Sequence, residues 1–299
     1  MLSKEKVTRM PDDAFRLLRD LISDYCGVYY DDDSKYILEH RLDRRLQVCG
    51  VADYRDYYRY LLYNRERENE LAEIVDIITV NETYFFREKK QFDALLEEIA
   101  PEIMKSGSGQ KRLRIWSAGC ASGEEPYTIA ILVLENPAIF GDWKVEVLAS
   151  DINKRVIQKA RRGVYTKNSF RAVEDYYIRK YFDEGAEGFR IKDSVRELVD
   201  FSHLNLLEPK KYGFLGDLDV IFCRNVLIYF HAGSKKIVVE SFYESLCGGG
   251  YLLLGHAESL MNVSTSFALK HLKHDMAYQK PRKPEMSISD ESLYRMVWG

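Results

Sequence analysis

The chain of 299 residues is long enough for two domains that each bury a core, and its composition, 46% hydrophobic and 30% charged, is that of a globular protein. The formal charge of −3 excludes a strongly basic nucleic-acid-binding protein, and no apolar run approaches the roughly 20 residues of a transmembrane helix. No secretory signal is visible, and the five cysteines are scattered without C-x-x-C spacing, so we expect a cytoplasmic protein with reduced thiols, no metal site and no membrane insertion.

The first part of the chain, residues 12–100, carries apolar residues at the three- and four-residue spacing of amphipathic helices. Short polar turns separate these segments, which predicts a small helical bundle. The apolar face of the segment 68–80 consists of Leu71, Ile74, Val75 and Ile78.

Beyond the polar stretch KSGSGQK, residues 105–111, short apolar strands alternate with helices. Such alternation predicts a doubly wound, mostly parallel sheet with helices on both faces. The predicted strands are residues 113–119, 144–150, 218–224 and 250–256.

These patterns predict the following domain organisation. We expect a helical domain over residues 1–85, a connecting helix and linker over 86–110, and an α/β domain over 111–280. The segment at about 185–201 has the pattern of short antiparallel strands and is predicted to be a small β insertion. Residues 281–299 are predicted to be a tail.

The first predicted strand of the α/β domain ends in a turn with the spacing G-x-A-x-G, Gly119 to Gly123. Glycines at this position allow a ligand to approach the backbone and the N-terminus of the next helix. An ordinary strand–helix turn also uses glycine, so this pattern alone leaves both interpretations open.

Asp151 follows the second predicted strand, where an acidic residue can accept hydrogen bonds from ribose hydroxyls. It could equally cap the next helix. The glycine turn and Asp151 together favour a nucleoside-containing cofactor. Because Glu124 and Glu125 would repel a pyrophosphate, a cationic ligand such as S-adenosylmethionine fits better than a dinucleotide.

A third candidate position lies after the strand that ends near Cys223. Asn225 can offer a ligand both a donor and an acceptor, although it could also simply form a turn. Tyr229 and Phe230 follow it; aromatic pairs usually belong to a core, but a tyrosine face beside a sulfonium would add a cation–π interaction of roughly 0.5–2 kcal/mol.

Five segments together resemble the chemotaxis receptor methyltransferases of the CheR type, and they extend over nearly the whole chain. The segments are NETYFFRE, IWSAGCASGEEPYTIA, LASDIN, FSHLNLLEP and IFCRNVLIYF. The resemblance implies a class I S-adenosylmethionine-dependent methyltransferase fold, with an N-terminal helical domain and a small antiparallel β insertion. It also implies methyl transfer to glutamate side chains of chemoreceptor cytoplasmic helices, with S-adenosylhomocysteine as the second product.

The resemblance further implies a set of cofactor-binding residues. Asp151 would bind the ribose, Glu125 the methionine ammonium group, and Asn205 with Leu206 the adenine. The complete set is Asn81, Thr83, Arg87, Gly119, Glu125, Asp151, Asn205, Leu206, Asn225 and Val226.

Arg87 and Tyr229 are the predicted catalytic residues. Arg87 would bind the methionine carboxylate or orient the incoming glutamate, and Tyr229 would shape the transfer site. The stretch NETYFFRE is predicted to form the lip over the cofactor, with Phe85 and Phe86 divided between core and lid.

Receptor binding is predicted for Arg41, Arg44 and Arg45, which lie at positions i, i+3 and i+4 of a predicted helix. Such a cluster is usually a solvated face, but the resemblance implies a basic helix that binds acidic receptor helices. The first turn of the β insertion, EGAEGF, is short, which favours direct recognition of the methylation region over tethering by a receptor peptide. We expect a monomer.

Two alternative functions compete with receptor methylation. One is a non-catalytic, S-adenosylmethionine-binding signalling scaffold, which would have no need of Arg87, Asp151 and Asn225. The other is methylation of a nucleic acid or a small molecule. The overall charge and the absence of an N-P-P-Y-type tetrad after the DVIFC strand disfavour it, and we expect no nucleic-acid partner.

Overall fold

The computed structural model describes residues 9–106 and 111–282. Its N-terminal part is a bundle of helices whose apolar faces form one buried cluster. All four apolar positions predicted for the segment 68–80 are buried there, as the helical spacing requires. The helices of this bundle are α1 (Asp12–Cys26), α2 (Lys35–Cys49), α3 (Tyr54–Tyr63) and α4 (Arg67–Ile78).

A connecting helix leads from the bundle to the α/β part of the chain. It comprises α5 (Lys89–Ala94), a π-helical turn (Leu95–Ile99) and α6 (Ala100–Ser106). Most of the predicted linker, residues 107–110, and most of the predicted tail, residues 283–299, lie outside the described residues.

The α/β part is built on a seven-stranded sheet with the order β6-β2-β1-β7-β8-β10-β9. Neighbours from β6 to β8 pair in parallel, and β10 pairs antiparallel to both β8 and β9. The sheet is therefore mostly parallel, as predicted. Its strands are β1 (Arg112–Ala118), β2 (Lys144–Asp151), β6 (Val199–His203), β7 (Leu218–Cys223), β8 (Leu246–Leu254), β9 (Ala268–His271) and β10 (Met276–Gln279), and the separate small sheet contains β3 (Val164–Tyr165), β4 (Phe182–Gly185) and β5 (Gly188–Ile191).

Helices cover the parallel sheet, whose central strands are buried on both faces. In the register of β1, Ile115 lies between Val147 of β2 and Val220 of β7, and all three side chains are buried. The helices of this part are α7 (Glu124–Glu135), α8 (Pro137–Phe140), α9 (Lys154–Arg162), α10 (Asp175–Tyr181), α11 (Asp193–Arg196) and α12 (Ala232–Ser245).

The β insertion exists, but its predicted bounds of about 185–201 are wrong. The insertion is a three-stranded antiparallel sheet in which β5 lies between β3 and β4, so it includes residues from Val164 onwards. Val199 and the residues after it belong to β6, which pairs in parallel with β2 at the edge of the main sheet. A short alternating strand does not reveal its partner from sequence, because the partner is a long-range choice. None of the described helices is long and apolar enough to cross a membrane.

Candidate active site

A cavity of about 310 Å³ lies between the helical bundle and the carboxyl ends of β1, β2 and β7. This is the edge where doubly wound sheets bind ligands, and the volume is in the range of small-molecule sites. Every residue predicted for the cofactor or for catalysis lines it: Asn81, Thr83, Arg87, Gly119, Glu125, Asp151, Asn205, Leu206, Asn225, Val226 and Tyr229.

The glycine turn after β1 requires glycine at position 119. Gly119 has φ +81°, and a Cβ atom there would lie 2.5 Å from Cγ2 of Val226. The backbone amides of Gly119 and Cys120 both donate to the carbonyl of Ser150, at 2.8 and 2.9 Å. The turn is therefore held between the end of β2 and the loop after β7.

Asp151 is buried at the end of β2 and faces the cavity. Its carboxylate accepts the backbone amides of Ala121, at 2.9 Å, and Asn153, at 2.8 Å. Burial raises its pKa to about 6. The helix-capping interpretation is wrong, because Asn153 caps α9 by accepting the amide of Val156 at 3.0 Å.

Glu124 and Glu125 diverge at the start of α7. Glu125 lines the cavity and accepts a hydrogen bond from the Ser117 hydroxyl at 2.6 Å. Glu124 instead accepts the hydroxyls of Ser122 and Ser169, at 2.8 and 3.0 Å, away from the cavity. Burial raises the pKa of both carboxyl groups. Glu125, rather than the pair, supplies the negative charge that disfavours a pyrophosphate here.

Arg224 is a cavity residue that the sequence analysis did not identify. Only 2% of its side chain is exposed, and its Nε lies 3.3 Å from the carboxylate of Glu125. Its Nη2 donates to the carbonyl of Arg87 and lies 3.6 Å from Glu88. The sequence shows that Arg224 lies between a buried strand and Asn225. Arginine side chains are mostly exposed unless they are paired, however, and the sequence does not reveal the partners that allow this one to be buried.

Asn225 has a left-handed backbone, with φ +58°, in the loop after β7. Glu258 holds this loop by accepting the backbone amides of Asn225, Val226 and Ile228, at 2.7, 3.0 and 3.1 Å. The Oδ1 atom of Asn225 is buried and has no hydrogen-bond partner among the described residues. It is therefore an acceptor that a ligand can satisfy. Glu258 carried no sequence signal, since it lies 33 residues from Asn225.

The stretch 81–88 contributes some residues to the cavity and others to the core. The residues that line the cavity are Asn81, Glu82, Thr83, Tyr84 and Arg87. Phe85 is fully buried, with its ring 4.8 Å from that of Tyr165 and 5.3 Å from that of Phe170, and Phe86 is also buried. The core part of the prediction for the two phenylalanines is confirmed, because both belong to the core of the α/β part; the lid part is wrong, because neither lines the cavity.

The three arginines of α2 do not form one solvated basic face. Arg41 lines the cavity and donates to the carbonyl of Ile78. Arg45 pairs with the carboxylate of Glu70, where the two side chains are 14% and 5% exposed. Only Arg44 of the three is exposed. The expected arrangement fails because Glu70 of α4 offers a buried carboxylate within reach of Arg45.

Polar contacts join the bundle to the α/β part at the rim of the cavity. The backbone amide of Tyr29 donates to the carbonyl of Tyr229 at 2.9 Å. The side-chain amide of Asn205 donates to the carbonyl of Tyr25 at 2.7 Å, and its Oδ1 accepts the amide of Leu207 at 3.0 Å. Asn205 thus holds the two parts together in addition to lining the cavity.

Two family models match this chain and together account for most of it. Residues 13–79 match the CheR methyltransferase all-alpha domain, and residues 81–276 match the CheR methyltransferase SAM-binding domain. This chain belongs to the CheR methyltransferase family.

Curated CheR relatives cover nearly the same length. Chemotaxis protein methyltransferase 2 of Vibrio cholerae is 38% identical over 273 residues, which are 91% of this chain and 94% of the relative. The chemotaxis protein methyltransferase of Borreliella burgdorferi is 35% identical, over 83% of this chain and 88% of its own. Chemotaxis protein methyltransferase 1 of Pseudomonas aeruginosa is 33% identical, over 89% of this chain and 97% of its own.

The fold is that of a class I methyltransferase, the chain is a methyltransferase, and its cofactor is S-adenosylmethionine. The chemistry of the cavity of this CheR protein fits that cofactor. Asp151, which is buried, and Glu125, whose side chain is 14% exposed, supply carboxylates suited to ribose hydroxyls and to an ammonium group. The unsatisfied Oδ1 of Asn225 supplies a further acceptor.

Proposed function

We propose that this protein transfers the methyl group of S-adenosylmethionine to glutamate side chains of chemoreceptors. The observation that carries the proposal is that two carboxylates, that of buried Asp151 and that of largely buried Glu125, line the same cavity as Arg87. Carboxylates suit the neutral and cationic parts of the cofactor, whereas a guanidinium suits an incoming carboxylate. The names of the relatives, chemotaxis protein methyltransferases, supply the substrate class.

In this proposal, different residues of the cavity bind different parts of the cofactor. Asp151 accepts the ribose hydroxyls, Glu125 accepts the methionine ammonium group, and Asn205 with Leu206 contacts the adenine. The remaining positions around the cofactor are Asn81, Thr83, Gly119, Asn225 and Val226.

The reaction needs no general base, because a glutamate carboxylate is already ionised at neutral pH. The cofactor supplies an electrophilic methyl group: the carboxylate oxygen forms a bond to the methyl carbon while the sulfur–methyl bond breaks, and the electron pair stays on sulfur. The protein has to desolvate and align the carboxylate. We assign the alignment to Arg87, which lies at the rim, and the shaping of the transfer site to Tyr229.

The receptor side of the proposal rests on α2. Arg44 is exposed and can contact an acidic receptor helix, whereas Arg41 and Arg45 would first have to leave their internal partners. We further propose that the protein acts in the cytoplasm as a monomer that recognises the methylation region directly. A non-catalytic scaffold is not favoured, since the cavity keeps Arg87 and the relatives are named as enzymes.

The test is transfer of labelled methyl from S-adenosylmethionine to membranes that contain the chemoreceptors, followed by release of the label in alkali. We expect base-labile label, which a glutamyl methyl ester gives. Arg87→Ala should lower the rate by about a hundredfold or more, the effect of losing one positioning group. Arg59→Ala is the matched control, because Arg59 is a surface arginine of the bundle with 69% of its side chain exposed.

The possible outcomes separate the parts of the proposal. Label that resists alkali would contradict glutamate as the acceptor. Full activity of Arg87→Ala would remove the role assigned to Arg87 but leave the reaction. Tight binding of S-adenosylhomocysteine without any transfer to these membranes would contradict receptor methylation.

A further inference from the structure

A buried cation holds one wall of the cavity. The side chain of Arg224 is 2% exposed, and its guanidinium lies between two segments that are far apart in sequence. On one side it bonds the carbonyl of Arg87 and lies 3.6 Å from the carboxylate of Glu88. On the other side its Nε lies 3.3 Å from the carboxylate of Glu125. One side chain thus connects the stretch that carries Arg87 to the carboxylate at the start of α7.

The surroundings of Arg224 do not provide a complete set of hydrogen bonds. Its Nε and Nη1 atoms are buried without an aligned hydrogen-bond acceptor among the described residues. The ring of Phe92, 5.1 Å from the guanidinium carbon, is its other neighbour. The cation is therefore stabilised mainly by the charges of Glu125 and Glu88, and these carboxylates in turn depend on the cation.

Glu125 needs such a cation in order to bind an ammonium group. A buried carboxyl group favours its neutral form unless an opposite charge lies nearby, and a neutral carboxyl group is a poor partner for a cationic ligand. Burial raises the pKa of Glu125, and Arg224 opposes that rise. Among the described residues, the charged or titratable groups around Glu125 and its immediate neighbours include Arg87, Glu88, Cys120, Glu124, Asp151, Cys223, Arg224 and Glu258, with His256 4.0 Å beyond Glu88.

We propose that Arg224 is a positioning residue that keeps Glu125 ionised and directed into the cavity. It acts on the cofactor through Glu125 and need not touch it. The inference rests on the role proposed above for Glu125, which is to hold the methionine ammonium group. It adds that the affinity for the cofactor depends on a salt bridge in the wall of the cavity.

The test compares the dissociation constants of S-adenosylhomocysteine, by calorimetry, for wild type and Arg224→Gln between about pH 6 and about pH 9. Titration of the ligand itself cancels in the ratio of the two constants. Without Arg224, Glu125 should protonate at a higher pH. The variant should therefore bind much more weakly at the acidic end and approach wild type at the alkaline end, with the ratio changing by up to about tenfold per pH unit. Arg224→Lys keeps the positive charge but lacks the planar guanidinium with its several N–H groups. It should recover part of the affinity that Arg224→Gln loses.

Glu125→Gln completes a double-mutant cycle and excludes effects of His256 and Glu88. If Arg224 acts through Glu125, then adding Arg224→Gln to Glu125→Gln should cause little further loss, and the pH dependence of the ratio should vanish. Independent, additive losses in the two variants, or a ratio that stays constant with pH, would overturn the proposal. Normal binding by Glu125→Gln would instead refute the ammonium role of Glu125. If Arg224→Gln does not fold, Arg224→Lys and the double variant provide the same comparison.

Discussion

The carboxylate of Asp151 accepts the backbone amide of Ala121 at 2.9 Å, across the gap between the ends of β2 and β1. This contact joins the acidic residue of one strand to the glycine turn of the next. It places a buried carboxylate, whose pKa burial raises to about 6, beside the backbone that a nucleoside would approach.

The first prediction concerns the pH dependence of cofactor binding. As the pH falls through about 6, Asp151 takes up a proton and loses acceptor capacity, so the affinity for S-adenosylhomocysteine should fall. The raised pKa of Glu125 acts in the same direction. Asp151→Asn should bind about ten- to a hundredfold more weakly at pH 8, as loss of a charged hydrogen-bond acceptor predicts, and with a flatter pH profile.

Asp219→Asn is the control for this measurement. Burial raises the pKa of Asp219 as well, but its carboxylate accepts the amide of Arg114 near the opposite end of β1 and it does not line the cavity. The affinity of Asp219→Asn for S-adenosylhomocysteine, and the dependence of that affinity on pH, should match those of wild type. An equal loss of affinity in Asp219→Asn would assign the effect to general destabilisation.

The second prediction concerns the glycine turn. Gly119→Ala combines a left-handed backbone with an overlap of Cβ and Val226, so it should lower the free energy of unfolding by about 2–5 kcal/mol. Gly50→Ala separates the two effects, because Gly50 has φ +65° and open space around it. That variant should lose only about 1–2 kcal/mol. Urea unfolding measures the free energy of unfolding of both variants. Equal losses in Gly119→Ala and Gly50→Ala would show that the overlap with Val226 contributes little to the cost.

The third prediction separates the arginines of α2. Arg45→Ala leaves the carboxylate of Glu70 buried without its cation, which should lower the free energy of unfolding by about 3–5 kcal/mol. Arg44→Ala should leave stability unchanged, because Arg44 is exposed. Arg44→Glu should slow receptor methylation in a salt-sensitive way. A salt-independent rate in the wild type would contradict electrostatic recognition by this helix.

The stability difference between wild type and Arg45→Ala should itself depend on pH. Although burial opposes them, hydrogen bonds from Arg45 and Tyr57 hold the pKa of Glu70 below its usual 4.5. A lowered folded-state pKa contributes stability above the unfolded-state value, and that contribution is lost as the pH falls through the folded-state value. The difference should therefore be largest above pH 4.5 and narrow in acid.

The fourth prediction concerns two adjacent aromatic residues, of which one belongs to the core and the other lines the cavity. Phe85→Ala should cost about 3–5 kcal/mol of unfolding free energy, because the ring is fully buried among other aromatic rings. The folded fraction should bind S-adenosylhomocysteine normally. Tyr84→Ala should show the opposite balance, with weaker binding and a smaller stability loss, since Tyr84 lines the cavity. Weaker binding by folded Phe85→Ala would restore a lid role.

Local patterns in the sequence determined the secondary structure and the chemical types of the site. The predicted strand over residues 144–150 matches β2 to within one residue, because the spacing of its apolar residues is a local property. The positions of Asp151 and Asn225 after strands also followed from the sequence. Since the carboxyl ends of parallel strands meet at one edge of a sheet, such residues converge once the topology is parallel.

Only the tertiary structure decided which polar groups pair with one another. Arg45 reaches Glu70 across 25 residues, Glu258 reaches Asn225 across 33, and Arg224 bonds Arg87 across 137. The same packing drew Arg45 out of the expected basic face and placed β6 in the main sheet. Whether a buried charge is stable depends on the partners that surround it in three dimensions, and the spacing of residues along a chain does not contain that information.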